Sequence, residues 1–440
     1  MPRLAALTVT AAALLAPTRG AAQAVAPQRL TLAAAVQRAT EAAPGVQTAG
    51  YRMDDARARV GEARSRLLPS LSLAGTWLNR SENLAAFGLT EPGLPPFIQP
   101  FNNWDARVRL TQAVFDYSGW QHLRAEGYLA DGSAADRTAA VEEAARAAAQ
   151  AYLRAVRASS LLGARQADAE TAAQLLSLAE AQLQAGVSAP LDVTRARTQL
   201  VAAQGALLVA RNQRQKADID LALALGADPA TTYVLADTLT GELGGSSAPT
   251  DTAAALALAL ERRADLASET ATGGRARAER RAIAAERLPR IDLAADYGPN
   301  GMTVPSTRLT QDVAVVVSIP LLDGFRREAR SGEQRAAEQQ SQVRASDLRR
   351  RIAAQIRAAL LDLGSGVELH GVASQRLALA GEELDEARER FASGVAGNID
   401  VINAQASLNL ARDAEIDSRF ATAAARVSLA YAAGVAETIH

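Results

Sequence analysis

Two nonapeptides decide the reading of this chain. Ala185-Gly186-Val187-Ser188-Ala189-Pro190-Leu191-Asp192-Val193 returns about 208 residues later as Ser393-Gly394-Val395-Ala396-Gly397-Asn398-Ile399-Asp400-Val401. Gly with Pro, or Gly with Asn, punctuates a sharp turn between two stretches free of breakers. Pro190 suits the first turn of a following helix. Upstream, residues 118 to 185 hold no Pro and little Gly. That run predicts a helix of roughly 100 Å at 1.5 Å per residue.

Both turns are flanked by seams of seven-residue period. After the first, Val193, Leu200, Leu207, Arg214 and Leu221 form one row, and Ala196, Ala203, Ala210, Ala217 and Ala224 the other. After the second, the rows are Val401, Leu408, Glu415, Thr422, Leu429 and Ala404, Ala411, Ser418, Ala425, Ala432. The helices before the turns repeat the pattern, with Leu176 beside Ala172 and Ala179, and Leu384 and Phe391 beside Ala380 and Ala387. Alternating spacings of three and four predict antiparallel coiled hairpins. Arg165, Arg214, Glu415 and His370 interrupt the seams. Their stems are expected to snorkel to solvent at a groove edge; a functional ion pair or proton sensor is the alternative.

The composition agrees. Of 440 residues, 48% are hydrophobic but only 4% aromatic, and about a hundred are Ala. Ala forms helices well and fills cores poorly, so long helices in close contact are expected rather than a pocket enzyme. The 47 basic and 48 acidic residues balance, so no polyanion or nucleic-acid partner is implied. The chain has no G-x-S-x-G elbow, phosphate loop or H-E-x-x-H, and His122, His370 and His440 lie far apart. Neither an enzyme activity nor a metal or cofactor is expected.

The duplication extends beyond the turns. Leu67-Leu68-Pro69-Ser70-Leu71 returns as Arg287-Leu288-Pro289-Arg290-Ile291, at an offset of about 220, and the change of offset places a longer loop between residues 80 and 105. Residues 25–225 and 252–440 are read as two repeats joined by a Gly-, Pro-, Ser- and Thr-rich connector, 226–251. Each begins with a helical segment, Thr31–Arg66 (interrupted near Pro44) and Ala254–Arg287, followed by two strands and a long hairpin. Met1-Pro2-Arg3, the apolar run Leu4–Ala16 and Ala22-Gln23-Ala24 read as a signal peptide, residues 1–24. No other run is long enough for a transmembrane helix, and the absence of Cys leaves no lipid-anchor residue.

Four segments alternate with period two. Leu71, Leu73, Gly75, Trp77 and Trp104, Ala106, Val108, Leu110 set an apolar face in the first repeat. Ile291, Leu293, Ala295, Tyr297 and Gln311, Val313, Val315, Val317 do so in the second. Strands of about 9–11 residues with an aromatic near one end suit a membrane barrel. The plainer alternative is a half-buried sheet packed on helices. Four strands cannot close a barrel alone, so a membrane reading requires several copies.

In order and twice over, LLPSL and RLPRI before strands, VFD and LLDG after them, and the turns AGVSAPLDV and SGVAGNIDV resemble the TolC family of outer-membrane efflux and secretion channels. The resemblance implies a mainly α fold with a small β part. Four strands per chain would enter a shared 12-stranded barrel in a homotrimer, continued by an α-barrel across the periplasm, with the connector and C-terminus as a belt. It implies an outer-membrane location with lipid around the barrel, a periplasmic adaptor, and an inner-membrane transporter reached through that adaptor. By position, the docking tip would comprise Gly186, Val187, Ser188, Pro190, Gly394, Val395, Gly397 and Asn398. Asp192 and Asp400 fall where the family narrows its entrance, although Asp at a helix start also caps it. A gate Tyr and Arg of the archetype fall on Phe391 and Ala396. Both polar partners are missing, which leaves repulsion or packing to close the entrance. The rival reading is a soluble periplasmic coiled-coil scaffold or adaptor. Drug, metal and protein cargoes all stay open; without a Met- or His-rich tract to point to metal, small-molecule export is favoured.

Overall fold

A computed structural model describes residues 28–88, 92–93, 95–239, 243–395 and 397–440. The expected signal peptide and Ala396 lie outside the described residues.

Strand β1 (Gln28–Leu30) leads into α1 (Leu32–Ala42) and α2 (Pro44–Ser65). Strands β2 (Ser70–Asn83) and β3 (Phe97–Phe115) follow, with a short 3-10 turn at Leu84–Phe87 between them. Then come α3 (Tyr117–Gln184), α4 (Pro190–Ala224) and β4 (Tyr233–Leu235). The order then repeats as α5 (Thr252–Arg262), α6 (Ala264–Ala285), β5 (Arg290–Gly301), β6 (Arg308–Ser318), α7 (Arg326–Ala392) and α8 (Asn398–Ala433).

The caps repeat with the helices. Thr31 Oγ1 accepts from Ala34 N at 3.2 Å at the start of α1, and Asp251 Oδ2 accepts from Ala254 N at 2.8 Å at the start of α5. A side-chain oxygen at this position satisfies an amide the helix cannot. Pro44 opens α2 with Ala43 extended before it, as the steric demand of a Pro ring requires. The second repeat departs from expectation. The segment read as one helix from Ala254 to Arg287 breaks at Arg263, which is extended. No Pro causes this. The Arg263 side chain turns inward, donates to Asp265 and to Gln355 Oε1, and lies 5.3 Å from the centre of the Tyr431 ring. A buried cation that must reach three partners overrides local helix propensity here.

The long helices run as expected: 68 residues in α3 and 67 in α7. All ten seam positions read in α8 are buried. The interrupting charges differ from expectation. Arg165 bonds Asp168 and Asp413, Arg214 pairs with Asp218, and Glu415 pairs with Arg419. They are partly or fully covered because neighbouring charges compensate their desolvation.

Midway along the helices lies the largest apolar cluster. The Ala144–Val156 stretch of α3 meets α1, the ends of α4 and α8, and connector residues Leu239 and Leu243. Tyr152 is fully buried there, its hydroxyl 2.8 Å from both Leu30 O and Asp237 Oδ2. β1 and β4 form a two-stranded parallel sheet that the sequence pattern did not reveal. The connector and C-terminus pair: Gly244 N donates to His440 O, and His440 N to Gly245 O, both at 3.0 Å.

Candidate channel wall and hairpin tips

The four long strands form one antiparallel sheet in the order β2-β3-β5-β6, so β3 and β5 join the two repeats. In the first repeat they exceed the expected 9–11 residues, with 14 in β2 and 19 in β3. The length difference between repeats is thus largely an extended hairpin arm. Its outer residues, Asn79, Arg80, Phe101 and Asn102 among them, lack clean alternation, so the pattern hid it.

Directly opposed residues share a face. Trp77 faces Trp104, Val108 faces Tyr297, and Leu293 faces Val315, so these apolar residues of all four strands fall on one side, whereas Leu78 and Val316 fall on the other. The two indoles sit 6.2 Å apart. This face is bare: Leu73 is 77% and Val313 72% exposed, and β6 is exposed along its whole length. A half-buried sheet packed on helices, the plainer alternative, is not what forms.

The other face is polar. Arg107 reaches Asp105, Asp296 and Asp312 across three strands, and Asn300 donates to Asp105 at 2.8 Å. Below the strands this face opens on a cavity of about 950 Å³ lined by Asp116, His122, Glu286, Arg290, Asp323 and Arg327. His122 Nδ1 lies 3.0 Å from Glu279 Oε2. That hydrogen bond raises the His122 pKa above its ordinary value despite partial burial. Asp323 is held below the usual carboxylate range; desolvation opposes the shift, but bonds from Arg327 outweigh it.

At the far end, both helix pairs turn by the same device. Gly186 and Gly394 each adopt a φ of 73°, a left-handed conformation that Gly enters without strain. Gly186 N donates to Leu183 O and Val187 N to Gln182 O; Gly394 N donates to Phe391 O and Val395 N to Arg390 O. These paired bonds satisfy the last carbonyls of α3 and α7. Val187 and Val395 project into solvent.

Two hydrogen bonds tie the turns together. Asn398 Nδ2 donates to Asp192 O at 2.7 Å, and Gln182 Nε2 to Phe391 O at 3.0 Å. Asn398 is buried between the hairpins, a role spacing alone did not suggest. Phe391 is 3% exposed and packs with Leu175, Ala179 and Val401. The Asp pair divides: Asp192 Oδ2 reaches Ala189 N at 3.4 Å, the capping alternative. Asp400 is exposed and makes no side-chain hydrogen bond or ion pair among the described residues. Among those residues no cluster of His, Cys, Asp or Glu could hold a metal ion, and no helix is long and apolar enough to cross a membrane.

Comparison with known proteins agrees with this geometry. The family model described as outer membrane efflux protein matches residues 35–227 and 255–435. Protein CyaE of Bordetella pertussis is 28% identical over 398 residues, spanning 88% of this chain and 80% of its own length. The pyoverdine export outer membrane protein OpmQ of Pseudomonas putida is 25% identical over 444 residues, spanning 95% and 90%. Among solved structures, the Vibrio cholerae outer membrane protein VceC superposes with a TM-score of 0.78 at 18% identity, covering 92% of this chain and 96% of its own. The Campylobacter jejuni CmeC outer membrane channel gives 0.79 at 16% identity, covering 92% and 86%. At such identities these likenesses establish the fold, which is TolC-like. With the family model matching most of both repeats, the chain belongs to the outer membrane efflux protein family, the outer-membrane channels of efflux and type I secretion systems.

Proposed function

We propose that three copies of this chain close into one tube that spans the outer membrane with strands and the periplasm with helices. The carrying observation is the bare apolar sheet with two unlike open edges, β2 and β6. Open edges are not tolerated in lipid, and four strands cannot close alone. Joining β6 of one copy to β2 of the next is a head-to-tail contact, which generates rings when the rotation closes. Three copies supply twelve strands.

The helices support the same closure. Beside the sheet they lie in the order α2, α3, α6, α7, and toward the tips in the order α4, α3, α8, α7. The edge helices carry exposed apolar residues, Val201, Leu208 and Ile219 on α4 and Leu361, Val372 and Leu379 on α7. These are suited to a neighbouring copy.

The chain contains no Cys, so a single introduced pair reports cleanly. Cysteines at Leu73 on β2 and Val315 on β6 are expected to cross-link between chains and give a covalent trimer in detergent. A monomer that stays soluble without detergent would instead establish the scaffold reading.

The tips, Gly186, Val187, Ser188, Pro190, Gly394, Val395 and Gly397, dock a periplasmic adaptor bound to an inner-membrane transporter; Asn398, expected among them, is fully buried and instead holds the two turns together. Asp400, unpartnered, and Asp192, partly engaged as a cap, line the entrance, with Phe391 packed behind them. In planar bilayers, Asp400→Ala is expected to reduce cation selectivity more than Asp192→Ala. No effect of Asp400→Ala removes Asp400 from the entrance, and equal effects remove only the ranking of the two. Small-molecule export is the favoured cargo reading, supported by a relative named for pyoverdine export.

A further inference from the structure

Below the strands, the apolar face continues into a groove on the first turns of α3. Val114, Phe115, Tyr117, Trp120 and Leu123 wall a cavity of about 630 Å³ that also admits Gln121 and Arg124. Trp120 is 61% exposed. Two polar groups here lack partners. Arg124 is exposed and makes no ion pair or hydrogen bond among the described residues. Gln121 is only 6% exposed, and its Oε1 has no hydrogen-bond partner. A buried amide oxygen left unpaired carries a cost that a bound donor removes.

The position of the groove limits its occupant. It lies on β3 and α3, flanked on both sides within the same chain by β2 and β5 and by α2 and α6. The edges that would meet another copy lie elsewhere. The groove is instead continuous with the membrane-facing side of the sheet, where the strands hand over to helices: Phe115, the last residue of β3, opposes Ile291 on that side. Aromatic rings with a polar edge suit the boundary between acyl chains and headgroups.

We propose that the groove seats one glycerophospholipid of the periplasmic leaflet whose headgroup carries a hydrogen-bond donor, as phosphatidylethanolamine does. Arg124 takes the phosphate, Gln121 Oε1 accepts from the ammonium, and Phe115, Tyr117 and Trp120 cover the start of an acyl chain. Phosphatidylcholine offers the same phosphate without a donor. This inference rests on the membrane reading above.

The test uses the full chain in phosphatidylcholine vesicles. With Trp77→Phe and Trp104→Phe, Trp120 is the sole indole. A few mole per cent of doxyl-labelled phosphatidylethanolamine is compared with equally labelled phosphatidylcholine. The ethanolamine lipid is expected to quench Trp120 with about two- to tenfold higher apparent affinity, the worth of one hydrogen bond. Gln121→Leu should erase that preference, and Arg124→Gln should weaken both lipids. Lipid adducts of the otherwise unaltered protein in native mass spectrometry give the same ranking without the Trp substitutions. Equal quenching by both labels, unmoved by either substitution, overturns the lipid site. So does a Trp120 shielded from both labels and cross-linked to a second chain. Vesicle flotation separates the two readings: a chain that floats but shows no headgroup preference loses only the lipid site, and one that fails to float overturns both.

Discussion

At the residue scale, the polar side chains that matter are those the seams could not pair. Asp168 on α3 has a side chain only 4% exposed, yet it accepts from Arg165 at 2.7 Å and from Arg412 of α8 at 2.9 Å. Arg165 also reaches Asp413, so the link between the two hairpins is doubled. Asp168→Asn leaves Arg412 without its carboxylate and Arg165 with Asp413 alone, and is expected to cost about 3 kcal/mol, read as a lowered midpoint in thermal or urea unfolding. The half-exposed Arg157–Asp417 pair one step along is the control. Arg157→Gln should cost less than about 1 kcal/mol. Arg165 was visible in the sequence as an interruption. Its partner across the hairpins, Asp413, was not, because the two lie 248 residues apart and no local spacing links them. His122 gives a pH signature. Its folded pKa is raised by Glu279, so its contribution is complete below the unfolded value near 6.5 and fades as pH rises through the folded value. Stability measured from below pH 6 upward should fall in that window, and His122→Asn should flatten the fall.

At the element scale, legibility followed periodicity. The hairpin helices, their seams and the alternating faces of the strands were readable because each repeats a period over many turns or pleats. Three features were not. The three-residue strands β1 and β4 are too short to show a period. The outer arms of β2 and β3 lack clean alternation. The break at Arg263 is imposed by Tyr431, Gln355 and Asp265 rather than by local propensity. Of the tip, the turn residues were legible from Gly and Pro, whereas the buried clasp of Asn398 on Asp192 O was not, since it joins two repeats. At both turning glycines an added Cβ meets open space, so only the backbone resists substitution. Gly186→Ala and Gly394→Ala should each cost about 1–2 kcal/mol, measured by hydrogen exchange at the adjoining helix ends. Fully protected, unchanged ends would argue against the left-handed turn.

At the scale of the whole molecule, the two faces of the sheet make opposite demands. Val315→Arg places a charge on the bare apolar face and is expected to cost about 2–4 kcal/mol near the middle of a bilayer. Ala314→Arg, one residue away, points to the polar face. The first should reduce the fraction of protein floating with vesicles and the second should not; equal behaviour would remove the distinction between lipid and lumen. The unlike edges β2 and β6 carry a genetic consequence. In the proposed ring, a chain damaged only along β6 would still offer a sound β2 edge, so it is expected to join an intact neighbour and then halt ring growth. Such a copy, expressed beside the normal one, is expected to lower channel activity dominantly. Since every ring needs all its joints, a minority of damaged chains disables a majority of assemblies.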